Sequence, residues 1–194
     1  MRKNIAILLF DEVEVLDFAG PFEVFSLADG LSKGTLFNVF TVGVLPGIAR
    51  ARNGLKIVPD YLLATCPRVD VLVVPGGNGT RALMGQAPVL EWIRRVAQHA
   101  ELVVSVCTGS LLLAKADLLN GLRITTHHTM LKELVQLAPR SIVDPSARFH
   151  DNGKFIVAAG ISAGIDGALH TVTRLAGAGT AAATAHHMEY TPRT

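Results

Sequence analysis

The chain has 194 residues, of which 49% are hydrophobic and 18% are charged, with a formal net charge of +2. This composition excludes a disordered chain, and the scattered Lys and Arg residues offer no concentrated basic stripe for nucleic acid. The two cysteines are too few for a disulfide scaffold, and no apolar run reaches the roughly 18 residues that a membrane span needs. With no signal-peptide pattern at the N-terminus, we expect one cytoplasmic domain over 1–194, without membrane or nucleic-acid partners.

The first part of the chain alternates apolar strands with a helix. NIAILLF (4–10) is typical of a buried strand, and DFAGPFEVFSLA (17–28) of a helix. FNVFTVG (37–43) predicts a second strand, and RNGLKI (52–57) predicts a hairpin that turns at Asn-Gly. VDVLVVP (69–75) predicts a third strand, rich in β-branched residues.

The alternation continues after a glycine-rich turn, GGNGT (76–80), and two helical pieces that end near His99. ELVVSV (101–106) predicts a strand, and TGSLLLAKADLL (108–119) predicts a helix. The remaining predicted elements are an extended piece at 123–126, a helix near 129–137, a hairpin over 146–160, and helices over 161–177 and 179–190. Strands that are apolar throughout are buried on both faces, so the pattern predicts an α/β fold with a mostly parallel central sheet.

A cysteine stands where the predicted strand 101–106 gives way to a helix, in the sequence SVCTG. Small neighbours allow the tight turn of a nucleophile elbow, which lifts the side chain of Cys107 above the sheet edge. Because the amino end of the helix favours an anion, we expect a lowered pKa and nucleophilic chemistry at Cys107. Cys66 lies in the loop sequence TCPR and is interpreted as a structural cysteine.

Backbone amides at two strand ends are candidates for stabilising an anion beside this cysteine. One belongs to Thr108, the residue after the nucleophile. The other belongs to the Gly76-Gly77 turn, where the absence of a side chain allows close approach. An ordinary tight turn is the alternative interpretation for Gly76 and Gly77.

Four stretches together resemble the ThiJ/PfpI superfamily, whose fold is similar to the class I glutamine amidotransferase domain. They are NIAILLFDEVEVLDFAGPFEVF, VLVVPGGNGTR, VVSVCTGSLLLAKADLLNGLRITTHH and SAGIDGALHTV. The resemblance implies a flavodoxin-like three-layer sandwich, a reactive Cys107 and a homodimer. It also implies that an acid from the first helical region, Asp17, contacts the cysteine. From the residues alone, Asp17 would be an acidic residue that interacts with the helix dipole.

The residue after the cysteine points to one branch of that superfamily. Thr108 stands where the peptidase-like branch has a histidine, so that dyad is absent. The segments DFAGPFEVF and CTG resemble the isonitrile hydratase branch, which has an aspartate at the position of Asp17 and a threonine at the position of Thr108. This resemblance implies hydration of a small isocyanide to an N-formamide through a thioimidate on Cys107. Asp17 would act as the acid, the Gly77 and Thr108 amides would hold the reacting group, and no cofactor or metal would be needed.

Two other functions remain open. The first is related thiol chemistry, such as glyoxalase-like hydration or amide hydrolysis, in which His127, His128 or the HME sequence at 187–189 would take part. The second is a ligand or redox sensor. TTHH and SAGIDGAL also resemble the sensor domain of AraC-type regulators, whose helix-turn-helix region does not occur before the end of this sequence.

Two spacings suggest weaker alternatives. GNGTRA (77–82) fits the glycine pattern of a dinucleotide site, but the acidic residue expected at the end of the next strand is absent. Asp166 and His170 are four residues apart on a predicted helix, and the spacing predicts a structural hydrogen bond between them.

Overall fold

The computed structural model describes residues 2–193. Met1 and Thr194, the two ends of the predicted domain range, lie outside the described residues. A seven-stranded sheet, in the order β10-β11-β7-β6-β1-β2-β5, forms the centre. Its strands are β1 (Lys3–Leu9), β2 (Phe37–Gly43), β5 (Tyr61–Leu62), β6 (Val71–Val74), β7 (Leu102–Val106), β10 (Phe149–Asp151) and β11 (Phe155–Ala158). Every neighbouring pair is parallel except β10 and β11.

Two small sheets lie outside this centre. β3 (Ala49–Arg50) pairs antiparallel with β4 (Lys56–Ile57), which confirms the predicted hairpin. β8 (Arg123–Ile124) pairs parallel with β9 (Ile142–Val143). Neither β5 nor the β8–β9 pairing was predicted, because strands of two residues are too short to show a periodicity.

The helices form two layers around the central sheet. They are α1 (Val15–Leu31), α2 (Thr80–Leu83), α3 (Ala87–His99), α4 (Gly109–Lys115), α5 (Leu131–Leu137), α6 (Ala163–Ala176) and α7 (Ala178–His187). Helices α1, α6 and α7 pack on one another, and α2, α3 and α5 pack around α4. This is the flavodoxin-like α/β sandwich that the family resemblance implied, built on the mostly parallel sheet that the apolar strands predicted.

The burial of the strands explains why their sequences are apolar throughout. Every residue of β6 and of β7 is buried, as are Ile5–Leu9 in β1. Helices cover both faces of these strands, which favours apolar side chains, and Ser105 of β7 is the one polar residue in these buried stretches.

One helix is shorter than the sequence pattern predicts. The helix predicted over 108–119 ends at Lys115. Asp117 takes a left-handed backbone conformation with φ 60°, and the N–H of Leu118 reaches back to the carbonyl of Leu113. The chain reverses there and turns again at Gly121. Within the described range, no helix has the length and hydropathy to cross a membrane.

Candidate active site

Cys107 occupies the turn between β7 and α4 in a strained backbone conformation. Its φ is +56°, a region that residues other than glycine seldom adopt. The Cys107 N–H donates to the carbonyl of Ala159 at 2.9 Å, and its carbonyl accepts from the hydroxyls of Thr126 and Ser110 at 2.9 and 3.0 Å. These buried hydrogen bonds hold a conformation that costs about 1–3 kcal/mol by itself. The predicted nucleophile elbow is present.

Gly109, two residues after Cys107, must lack a side chain for a steric reason. A Cβ atom on Gly109 would lie 2.0 Å from the carbonyl oxygen of Val74, at the end of the neighbouring strand β6. Only glycine lets the first turn of α4 pass this close to the sheet edge. The glycine of the CTG sequence therefore brings Cys107 close to the end of β6.

Asp17 lies in the first turn of α1, and its side chain is fully buried. The N–H of Gly76 donates to Oδ2 of Asp17 at 3.0 Å, while Oδ1 is buried without a partner in residues 2–193. The point where a Cβ atom of Gly76 would sit is 2.9 Å from Asp17 Oδ2 and 2.5 Å from Thr108 N. The fold thus brings together Asp17, Gly76 and the Cys107 elbow, and Asp17 is not a solvent-facing partner of the helix dipole.

The side chains of Asp17 and Cys107 affect each other electrostatically. Burial raises the pKa of Asp17 to about 7, against the opposing effect of the Gly76 N–H. Burial, followed by the nearby Asp17 carboxylate, raises the pKa of Cys107 to about 12. This is opposite to the lowered pKa expected from the helix end, because the cost of desolvating a thiolate is larger than the stabilisation by neighbouring amides. Between these two pKa values the pair shares one proton and one negative charge.

Two backbone amides are hydrogen-bonded to the sulfur of Cys107, and both lower its pKa. They belong to Thr108 and to Ile161. The first was predicted. Ile161, just before α6, was missed because it lies 54 positions after Cys107 and no motif marks it. Its own backbone is left-handed, with φ +49°.

The backbone amides of Gly76 and Gly77 donate to side chains of the protein, whereas the sequence suggested that they stabilise an anion beside Cys107. The N–H of Gly76 is bound to Asp17, and that of Gly77 donates to Oγ1 of Thr108 at 2.9 Å. The glycines are required because the β1–α1 loop passes close by: a Cβ atom on Gly77 would lie 2.3 Å from the Glu12 carbonyl oxygen. Both amides are therefore occupied, and they orient the acid and the threonine.

A cavity of about 120 Å³ opens beside Cys107. Its other lining residues come from six segments of the chain: Glu14, Arg52, Gly77, Asn78, Arg81, Thr108, His127, Thr129, Met130 and Ile161. A larger cavity of about 280 Å³, at the ends of β1 and β2, contains no nucleophile. We assign the candidate site to the smaller cavity because the thiol lines it.

The two arginines in this cavity differ in their partners. Arg52 forms a salt bridge with Glu14, with Nη1 and Oε2 3.0 Å apart. Arg81 contacts the thioether sulfur of Met130 and, within the part of the chain that the structure describes, no carboxylate. The cavity therefore carries one cation whose charge no acidic side chain compensates.

Of the candidate histidines, His127 lines the cavity and His187 does not. The ring of His127 packs against Gly160, and its Nδ1 is 2.8 Å from the hydroxyl of Thr129. Burial and the neighbouring His128 lower its pKa, so it is neutral at pH 7. His128 stacks on His127 but is itself exposed. His187 is exposed on α7 beside a separate cavity, so the HME sequence does not complete a triad with Cys107.

The structure also places three other features that the sequence singled out, namely Asp166, Cys66 and the GNGTRA segment. The predicted pair of Asp166 and His170 is wrong: His170 binds Asp151 at 2.7 Å, because Asp166 turns inward and binds Arg148. Burial raises the pKa of Cys66 to about 11, and this half-buried thiol lines a cavity separate from that of Cys107. In the GNGTRA segment, a Cβ atom on Gly79 would lie 2.0 Å from the Asp11 carbonyl oxygen, so its glycines accommodate protein backbone.

A flavodoxin-like sheet with a cysteine on a strand-to-helix elbow and a buried acid beside it defines a recognisable class of α/β proteins. The sequence model of the DJ-1/PfpI family matches residues 3–174, and the chain belongs to that family. The resemblance to the ThiJ/PfpI superfamily is thereby confirmed.

Three individual proteins show which members of the family are similar to this chain. The chain is 35% identical over 192 residues to an isonitrile hydratase from Pseudomonas putida, covering 99% of this chain and 80% of the relative. It is 28% identical over 172 residues to the HTH-type transcriptional regulator GbdR from Pseudomonas aeruginosa, but it spans only 46% of that protein. A ThiJ/PfpI family protein from Pseudomonas syringae has a similar structure, with a TM-score of 0.88, 29% identity, and coverage of 100% of this chain and 77% of the other.

Proposed function

We propose that the protein is a cysteine-dependent lyase that hydrates a small isocyanide to the corresponding N-formamide. The observation that carries the proposal is the pairing of Cys107, which lines a cavity, with the buried acid Asp17. The relationship to an isonitrile hydratase over nearly the whole chain supports the same reaction.

The proton shared by Asp17 and Cys107 explains how a buried cysteine can be reactive. Two backbone N–H groups reach the sulfur of Cys107, whereas one reaches the carboxyl group of Asp17. Because the pKa of Cys107 lies above that of Asp17, the shared proton rests on sulfur, and these donors lower the cost of moving it to Asp17 when the sulfur attacks. The thiolate then forms by proton transfer within the pair rather than by loss of a proton to solvent. This pair gives the site a nucleophile and a proton donor together.

The first step adds the thiol across the isocyanide carbon. The Cys107 sulfur forms a bond to that carbon, and the proton of Asp17 is transferred to the same carbon, which leaves a neutral thioimidate and an Asp17 carboxylate. The Thr108 and Ile161 amides, which first stabilise the thiolate, remain directed at the reacting group.

The second step adds water to the thioimidate carbon. The Asp17 carboxylate takes a proton from the water as its oxygen bonds to carbon. The carbon–sulfur bond then breaks and the electron pair returns to sulfur. The proton of the new hydroxyl moves to nitrogen as the carbonyl forms, and the N-formamide leaves with the pair holding the one proton that Asp17 took from water. The net reaction consumes one isocyanide and one water, and no external oxidant or reductant enters.

The test is hydration of phenyl isocyanide, followed by formation of N-phenylformamide. We expect turnover by the wild type and by Cys66→Ala, and none by Cys107→Ala. Cys66→Ala is the matched control because it removes the other thiol at a site away from the cavity. Equal rates from the wild type and Cys107→Ala, or no product from any of them, would refute the proposal.

A ligand sensor is the second candidate, supported by the similarity to an HTH-type regulator. The redox form of this candidate assumed an exposed thiol with a lowered pKa, whereas Cys107 is 6% exposed and its pKa is raised. A ligand sensor would bind a small molecule in the Cys107 cavity without turnover. Saturable binding of phenyl isocyanide to the wild type without formation of formamide would favour this candidate.

Glyoxalase-like or amidase chemistry would use the neutral His127 at the cavity wall. Release of lactate from methylglyoxal, or of ammonia from glutamine, would support it if His127→Ala removed that activity.

We also propose a homodimer. Four large apolar side chains are exposed on or beside the β3–β4 hairpin: Leu45, Ile48, Leu55 and Val58. An exposed apolar patch of this kind is typical of a subunit interface. Light scattering of the purified protein should give a mass near twice 20.6 kDa.

A further inference from the structure

A buried carboxylate outside the candidate site is surrounded by donors from three residues in two parts of the chain. Asp166, on α6, accepts from Nε of Arg148 at 2.9 Å and also from Nη2 of the same guanidinium. Its other oxygen accepts from the hydroxyl of Tyr190 and the backbone N–H of Arg193, both at 2.9 Å. The Asp166 side chain is 1% exposed, so this ion pair holds Arg148 in one place.

The same guanidinium also reaches the residue before α6. Nη1 and Nη2 of Arg148 both lie 3.2 Å from Oγ of Ser162. Ser162 occupies the N-cap position of α6, where a serine hydroxyl ordinarily accepts from a backbone N–H of the first turn. Here it makes no such capping bond. The Ser162 hydroxyl binds Arg148 instead, so it does not cap α6.

Ser162 directly follows Ile161, the residue whose amide is hydrogen-bonded to the Cys107 sulfur. The left-handed backbone of Ile161, with φ +49°, is unusual for a β-branched side chain and needs its neighbours to hold it. Arg148 reaches this segment a second time through its main chain, because its carbonyl accepts from the Ala159 N–H at 2.8 Å.

We propose that Arg148 and Ser162 are positioning residues that hold the strained Ile161 so that its amide points at the Cys107 sulfur. Asp166 fixes the guanidinium, the guanidinium holds the Ser162 hydroxyl, and Ser162 holds the adjoining peptide. This arrangement sets the reactivity of the thiol toward any electrophile. The positioning role of Arg148 and Ser162 is therefore independent of whether an isocyanide is the substrate.

The test measures alkylation of Cys107 by iodoacetamide, by mass spectrometry, in a Cys66→Ala background. We expect Ser162→Ala to slow alkylation about threefold at every pH from 7 to 9, the effect of one net hydrogen bond. Ser162→Thr keeps the hydroxyl and should react within about twofold of the parent. The double variant R148M/D166N removes both charges without leaving a buried carboxylate unpaired, and should slow alkylation about tenfold.

The matched control is Tyr190→Phe, which removes one hydrogen bond to Asp166 and leaves the contact between Arg148 and Ser162. Urea unfolding should show that Tyr190→Phe is destabilised at least as much as Ser162→Ala, yet its Cys107 should react at the parental rate. Equal alkylation of Ser162→Ala and the parent would overturn the proposal. Equal slowing in Ser162→Ala, Ser162→Thr and Tyr190→Phe would also overturn it, because the alkylation rate would then follow the loss of stability and not the loss of the Ser162 hydroxyl.

Discussion

The N–H of Gly76 donates a 3.0 Å hydrogen bond to Oδ2 of Asp17, and this contact joins the end of β6 to the first turn of α1. It leaves the other carboxyl oxygen, Oδ1, buried and without a partner in residues 2–193. A buried oxygen in that state is best accommodated when it carries a proton.

Asp17→Asn should separate proton donation from thiol reactivity. Loss of the acid removes general acid–base catalysis, so hydration of phenyl isocyanide should fall at least about 100-fold. Alkylation of Cys107 by iodoacetamide needs no proton donor and should change less than about tenfold, since an asparagine amide can still donate to sulfur. Parallel losses in the two assays would show that Asp17 acts only by shaping the thiol.

The rate of hydration should depend on the proton shared by Asp17 and Cys107. Below the raised pKa of Asp17, about 7, the pair binds a second proton, and Asp17 can no longer accept the proton of the Cys107 thiol. The kcat/KM for phenyl isocyanide should therefore rise from pH 5 to pH 8 with a midpoint near 7, and then level off. A profile without a rise in this range would contradict the assignment.

Asp17 should also make stability depend on pH. Its folded-state pKa is raised from 3.8 to about 7, so its favourable contribution is complete below pH 4 and is lost as the pH rises through 7. Relative to Asp17→Asn, the wild type should lose about 4 kcal/mol of unfolding free energy between pH 4 and pH 8. Urea unfolding of both proteins at the two pH values measures this. A pH-independent difference would show that Asp17 is not desolvated in the folded protein.

Arg81 should favour substrates that carry an acidic group, because it is the cavity cation without a carboxylate partner. Arg81→Gln should raise KM for 4-isocyanobenzoate about fivefold and leave KM for phenyl isocyanide unchanged, the scale of a charge-assisted hydrogen bond. Arg95→Gln is the matched control, since Arg95 lines the separate cavity beside Cys66. Equal effects on both substrates would mean that Arg81 acts through packing.

Two glycine-to-alanine substitutions should change the stability of the fold in opposite directions. Gly109→Ala places a Cβ atom 2.0 Å from the Val74 carbonyl oxygen and should destabilise the fold by about 3 kcal/mol or more, with loss of activity. Gly179→Ala, on α7, meets nothing within 4 Å and should stabilise it by up to about 1 kcal/mol. Thermal unfolding checks both, and a Gly109→Ala protein as stable as the wild type would show that α4 can shift away from β6.

Much of the fold was determined by the sequence alone, because burial on both faces leaves a pattern that a single segment displays. The fully apolar stretches of β1, β6 and β7 predicted the parallel sheet, and SVCTG predicted the elbow at Cys107. These are local signals, carried by a few neighbouring residues. The elbow pattern also predicted the Thr108 amide, and the resemblance added Asp17 as a candidate site residue.

Only the tertiary structure decided how these groups are protonated and held. The pKa of Cys107 depends on desolvation and on Asp17, and the sequence position at a helix end suggested the opposite direction. Ile161 donates to the sulfur, and Asp166 binds Arg148 rather than His170, through contacts between segments far apart in the chain. Burial and hydrogen bonding between distant segments are set by packing, and a linear pattern does not record them.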